Sequence, residues 1–170
     1  MANQTQQQLN GYQLNEARGR AKFADLMKNT STTLEFTKDN YNHLDAFFTS
    51  TVSGTTYGVE IKNRSPKDER YSTYIMEKIK YDEMVKKQTN KDTYECWMVY
   101  FFGEHSYIFK WSTIKTLLDK NIIQQTEKWL PDSTVNFTKN VLKPCYLLPK
   151  EYAWKLEHTD DKWKVINKAN

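Results

Sequence analysis

Hydrophobic positions fall first at helical and then at strand spacing. Leu14, Ala17, Ala21 and Ala24, with Met27 or Lys28 closing the series, predict a helix over 13–29. Asn10 or Asn15 is its candidate cap, and Gly19 weakens it slightly. The Gln/Asn-rich stretch before it, residues 1–12, reads as a flexible N-terminus. The pattern then shortens to period two. Residues 31–37 form a β-branched and apolar run, and Lys38-Asp39-Asn40 a turn. Strands are predicted over 43–52 and 56–63, joined by Ser53-Gly54-Thr55. In the second of these, Tyr57, Val59 and Ile61 face one way, and Gly58, Glu60 and Lys62 the other.

Beyond Pro66, the residues Tyr74, Ile75, Ile79 and Met84 or Val85 predict a second helix over about 69–88, with Lys78, Lys80, Lys86 and Lys87 outside. Residues 94–102 are almost continuously apolar, as expected of a central strand covered on both faces. A strand over 106–111 and a helix over 112–120 follow, with Ser112 as its cap. Residues 143–148 suggest one more strand, and Pro149 a short helix over 150–157. The order α-β-β-β-α-β-β-α predicts an α/β (α+β) fold, a central mixed sheet flanked by helices. No internal repeat or long linker divides residues 13–170, so they read as one domain.

The chain has 170 residues, enough for a real core, and 14% aromatic residues, so large rings must supply much of it. A net charge of +4 permits an anionic partner without requiring one. Cys96 and Cys145 sit in apolar surroundings and read as buried free thiols in a reducing compartment. There is no CxxC, and His43, His105 and His158 are scattered, which argues against a zinc site. No stretch is long and apolar enough to span a membrane, and Met1–Gln8 lacks a signal peptide's apolar segment. A cytoplasmic protein is expected.

Four acid-x-base tripeptides occur: Glu16-Ala17-Arg18, Glu60-Ile61-Lys62, Asp68-Glu69-Arg70 and Asp160-Asp161-Lys162. Composition alone gives roughly three. Glu60-Ile61-Lys62 alone lies in a convincing alternating strand, where period two puts its acid and base on one face. A hairpin turning at 53–55 would set Asp45 opposite Lys62 or Arg64, on the face of Glu60. Two carboxylates and an ammonium would then converge. Paired carboxylates can hold Mg²⁺ while leaving positions for water and phosphate. A bound metal polarises the phosphate and acidifies the water. Lys62 could orient that water, stabilise charge, or act as a base if its pKa is depressed.

Asp45 and Glu60-Ile61-Lys62, set between two predicted helices, resemble the core of the PD-(D/E)XK nuclease superfamily over residues 13–110. Leu44 stands where the family name has proline. The resemblance implies a restriction-endonuclease-like core over 13–110 with a C-terminal extension over 111–170. It also implies a Mg²⁺- or Mn²⁺-dependent nuclease acting on nucleic acid, DNA in the first instance. Asp45, Glu60 and the Ile61 carbonyl would hold the metal, and Lys62 would complete the catalytic set. Many members add an acid from the first helix, for which Glu16 is the candidate and Asp25 the alternative on the same helix. A homodimer would suit cutting both strands of a duplex. The Lys-, Asn- and Tyr-rich composition points to a bacterial or phage source, hence host cytoplasm if phage-encoded.

The same residues also have plain structural readings. Glu60 and Lys62 would suit the wet face of an edge hairpin. Asp45 would suit a turn opening a strand, and Glu16 an acid in a first helical turn. Asn63, Arg64, Lys67 and Arg70 are equally at home on a phosphate or in solvent. Tyr71, Tyr74 and Tyr81 read as packing on the second helix, Trp97, Trp111 and Trp129 as core or its rim. A catalytically inactive nucleic-acid-binding or assembly protein on the same fold is the alternative function.

Overall fold

A computed structural model describes residues 11–38, 44–90, 94–132 and 138–168. His43 and the 39–43 part of the expected turn and strand lie outside the described residues, as do residues 1–10 of the expected flexible N-terminus. The chain opens with helix α1 (Gly11–Met27) and a three-stranded meander, β1 (Thr32–Phe36), β2 (Ala46–Ser50) and β3 (Thr56–Arg64). A 3₁₀ turn (Pro66–Arg70), β4 (Thr73–Glu77) and helix α2 (Lys78–Thr89) lead to β5 (Glu95–Phe102), β6 (His105–Lys110) and helix α3 (Trp111–Asp119). Strands β7 (Gln125–Pro131), β8 (Asn140–Pro149), β9 (Trp154–Thr159) and β10 (Lys162–Asn167) complete the chain.

The seven-stranded sheet has the order β1-β2-β3-β5-β6-β9-β10, and the three-stranded sheet the order β4-β8-β7. The expected mixed sheet flanked by helices is therefore present: β3 pairs antiparallel with β2 and parallel with β5. Both faces of the large sheet are covered. Val59, Ile61, Val99 and Phe101 pack with Phe23 and Met27 of α1. Met98, Tyr100 and Phe102 pack on the other side with Met76 of β4, Met84 of α2 and Ile114 of α3. The apolar run 95–102 is this doubly buried strand, and Cys96 and Cys145 are buried and free.

Gly19 is more than a weak point in α1. A Cβ there would lie 3.1 Å from Ile61 Cγ2 and 3.2 Å from Asn63 Cβ, so its absence lets α1 approach β3 closely. Asn15 and Asn63 lock that approach. Asn15 Nδ2 donates to the Asn63 carbonyl at 2.8 Å, and Asn63 Nδ2 donates to Asn15 Oδ1 at 2.7 Å.

Three sequence expectations are corrected. The helix expected over 69–88 starts only at Lys78: Thr73–Glu77 is a strand, with Tyr74 and Met76 buried against β8. The period-two alternation of Tyr74 and Met76, supported by β-branched Thr73 and Ile75, outweighs helical spacing there. The helix expected over 150–157 is a 3₁₀ turn (Lys150–Tyr152) followed by β9, which pairs with β6. Trp129 is not at the core rim but 70% exposed. The C-terminal region also holds β7 and the β9–β10 hairpin, whose turn residues Asp160 and Asp161 both have positive φ. Among the described residues no helix is long and apolar enough to cross a membrane.

Candidate active site

The β2–β3 register sets Ala46 opposite Val59, Phe47 opposite Gly58 and Phe48 opposite Tyr57. This is two residues or more from the expected register, so Asp45 comes beside Glu60 rather than opposite Lys62 or Arg64. A shift by an even number keeps the face, which is why the convergence survives. Asp45 is pinned from both sides. Its N–H donates to the Val59 carbonyl at 2.8 Å, and its carbonyl accepts from Thr37 N–H at 2.9 Å. Its Oδ2 accepts from the Ile61 N–H at 2.7 Å, so the side chain takes a main-chain donor of β3.

Glu60 is completely buried in the middle of the sheet. An isolated buried carboxylate is costly, and two ammoniums offset the cost. Lys62 Nζ lies 2.6 Å from Oε1, and Lys80 Nζ, reaching from α2, lies 3.0 Å from Oε2. Burial pushes the Glu60 carboxyl up, but the two lysines outweigh it and hold it below the ordinary carboxylate range. Burial likewise pulls Lys62 down, yet Glu60 and Asp45 outweigh it and hold the ammonium above its ordinary value. Glu60 and Asp45 thus favour the ammonium form of Lys62.

Asp45 behaves in the opposite way. Burial first, and the Glu60 charge second, push its carboxyl up to about 6, against the pull of Lys62, the Ile61 N–H and Lys80. The Glu60 charge thus disfavours ionisation of Asp45, and a divalent cation beside both would relieve it. Among the described residues no three His, Cys, Asp or Glu side chains form a metal cage. Mg²⁺ does not need one: one or two carboxylates with waters and a substrate phosphate suffice. Asp45 and Glu60 are the hard oxygen donors available at this point, with both Glu60 oxygens paired with lysines.

The first-helix acids are placed differently. Glu16 is tied to Arg20 at 2.9 Å, and Arg20 in turn lies 3.8 Å from Asp45 Oδ1, so Glu16 reaches the site only through a guanidinium. Arg20 also donates to the Thr37 carbonyl at 2.9 Å. Asp25 points elsewhere, to Lys28, His158 and Trp163 at the β9–β10 side of the sheet. Sequence reasoning placed Lys80 among solvent-facing lysines and so missed it. The cue was the onset of α2 at Lys78, which puts Lys80 in its first turn beside β3. His105 sits between Glu69 at 2.7 Å and Glu157 at 3.3 Å, away from this cluster.

No family model and no curated protein matches this chain. Among solved structures, that of D212, a nuclease from a fusselovirus, is similar to 82% of this chain and 77% of its own length, at 17% identity and a TM-score of 0.43. A likeness of that size assigns neither a family nor an activity.

Proposed function

We propose that the chain is a metal-dependent nuclease of the PD-(D/E)XK type that hydrolyses DNA phosphodiester bonds with Mg²⁺ or Mn²⁺. The observation that carries the reading is the fully buried Glu60 carboxylate bridged by Lys62, with Asp45 held beside it on the neighbouring strand. Burying a carboxylate inside a sheet, with partly buried charges around it, is poor structural economy, since apolar residues of similar volume do as well or better. Charged clusters of this kind concentrate where chemistry needs them.

Asp45 and Glu60, with the Ile61 carbonyl, are the groups that would hold the cation. When bound, it supplies electrophilic stabilisation of the phosphoryl oxygens and a more acidic water. The chain's own contribution is electrostatic and positional. Lys62, kept protonated by Glu60 and Asp45, neutralises charge that develops on the phosphorane-like transition state. The Ile61 N–H fixes the Asp45 carboxylate, and Lys80 fixes Glu60 through its second oxygen. Glu16 stands one ion pair behind Asp45.

Calorimetric titration of Mn²⁺ tests the site. Binding by the wild type that is lost in Asp45→Ala supports the enzyme. Absence of binding by a folded wild type favours the inactive binding or assembly protein.

A further inference from the structure

At the end of β3, immediately past Lys62, a cleft of about 670 Å³ opens between α1, the start of the 3₁₀ turn and the β5–β6 turn. Asn15, Arg18, Lys22, Asn63, Arg64 and Gly103 are among its lining residues. Three of these are cations contributed by two elements. Arg18 and Arg64 are exposed and make no ion pair or side-chain hydrogen bond among the described residues. Lys22 is half-buried, and its ammonium donates to the Gly103 carbonyl at 2.9 Å. The carboxylate nearest in influence, Glu104, is engaged with His158 at 2.9 Å. The Asn63 Oδ1 atom is buried without a hydrogen-bond donor.

We propose that this cleft is a phosphate subsite that seats a non-scissile phosphodiester of the nucleic-acid strand cleaved at Glu60 and Lys62. Like charges crowded without a counterion cost energy that a bound phosphate repays, and arginines suit bidentate contact with phosphate oxygens. Burial, opposed by Glu104 and reinforced by Arg18, leaves Lys22 below its ordinary pKa. Arg64 follows Lys62 by two strand residues, about 6.6 Å along the backbone, so the cleft opens at the end of the strand that carries the proposed cleavage residues. The neighbouring basic residues Lys67 and Arg70 do not line the cleft, and Arg70 lies over the Tyr71 ring at 5.2 Å.

The inference rests on the proposed nuclease reading, and equilibrium binding in EDTA separates the two. A fluorescein-labelled 20-base-pair DNA duplex is titrated with the full chain at several salt concentrations, without metal. The Arg18→Ala/Arg64→Ala variant should lose tenfold or more in affinity at 0.1 M salt. Its slope of log K against log salt should fall by about 0.9, the share of the one phosphate contact that is lost. Arg18→Lys/Arg64→Lys should recover most of the slope. Lys67→Ala/Arg70→Ala removes the same charge outside the cleft and should change affinity less than threefold. Wild-type affinity in the cleft variant, or an equal loss in the Lys67/Arg70 variant, overturns the subsite. Failure of the nuclease reading would appear differently, as DNA binding with no metal-dependent cleavage.

Discussion

The Lys80 ammonium stands 3.0 Å from Oε2 of Glu60, so the buried carboxylate is held by a lysine from α2 as well as by Lys62 of its own strand. Lys80 therefore supplies positive charge at an oxygen for which a bound divalent cation would compete. Lys80→Met leaves Glu60 with a single cation, which should cost about 2–4 kcal/mol in EDTA. Added Mn²⁺ should restore more of that loss in the variant than it adds to the wild type. Thermal melts with and without Mn²⁺ measure this. A melt insensitive to the substitution would show that Lys80 does not hold Glu60.

Glu60→Ala and Glu60→Gln should separate stability from chemistry. Alanine leaves two ammoniums without their carboxylate in the sheet interior, at about 3–5 kcal/mol. Glutamine keeps the volume and an acceptor oxygen, so it should fold better while losing the metal-binding charge. Denaturant unfolding of both variants reads the difference. Equal stabilities would mean that Glu60 is less tightly coupled to Lys62 and Lys80 than the geometry states.

Asp45 gives a pH signature. Its folded-state carboxyl titrates at about 6, above its ordinary value of 3.8. Between those values the folded chain holds the proton more tightly than the unfolded chain. The Asp45 contribution to metal-free stability therefore falls as pH rises from about 4 to about 6. Asp45→Asn should flatten that slope and stabilise the metal-free protein at pH 7 by about 1–3 kcal/mol. Mn²⁺ affinity should in turn weaken below pH 6, because the proton and the metal compete for the same carboxylate. Urea unfolding at pH 4, 5, 6 and 7 is the check; a parallel slope in the variant would count against it.

Glu16 is exposed and paired with Arg20 rather than directed at Glu60. Glu16→Gln should leave Mn²⁺ affinity within about threefold, as expected of a surface ion pair. A tenfold loss by calorimetry would make Glu16 a ligand.

Much of this arrangement was legible in the chain. The alternation of Tyr57, Val59 and Ile61 against Glu60 and Lys62 fixed which face the acid and base share. The Ser53-Gly54-Thr55 signal marked a hairpin, but the register was off because the chain turns earlier, over 51–54, where the Ser50 N–H bonds the Thr55 carbonyl and the Gly54 N–H bonds the Ser50 carbonyl. Face parity is robust to an even shift, so Asp45 still meets Glu60. Lys80 was hidden because its role depends on where α2 begins, and helical spacing extended that helix over what is β4. The basic cleft was hidden too. Arg18 and Lys22 are 42 or more residues from Arg64 in sequence, and only the close packing at Gly19 brings α1 onto β3.

The central claim is that Asp45, Glu60 and Lys62 perform metal-dependent phosphodiester hydrolysis. Incubating the wild type and Lys62→Met with linear duplex DNA, single-stranded DNA and RNA, in Mg²⁺, in Mn²⁺ and in EDTA, tests it most directly. Wild-type cleavage of DNA with metal, none in EDTA, and a loss of 100-fold or more in a folded Lys62→Met is the predicted result. A folded wild type that cuts none of these substrates with either metal, or a Lys62→Met variant that cuts as fast, would contradict it.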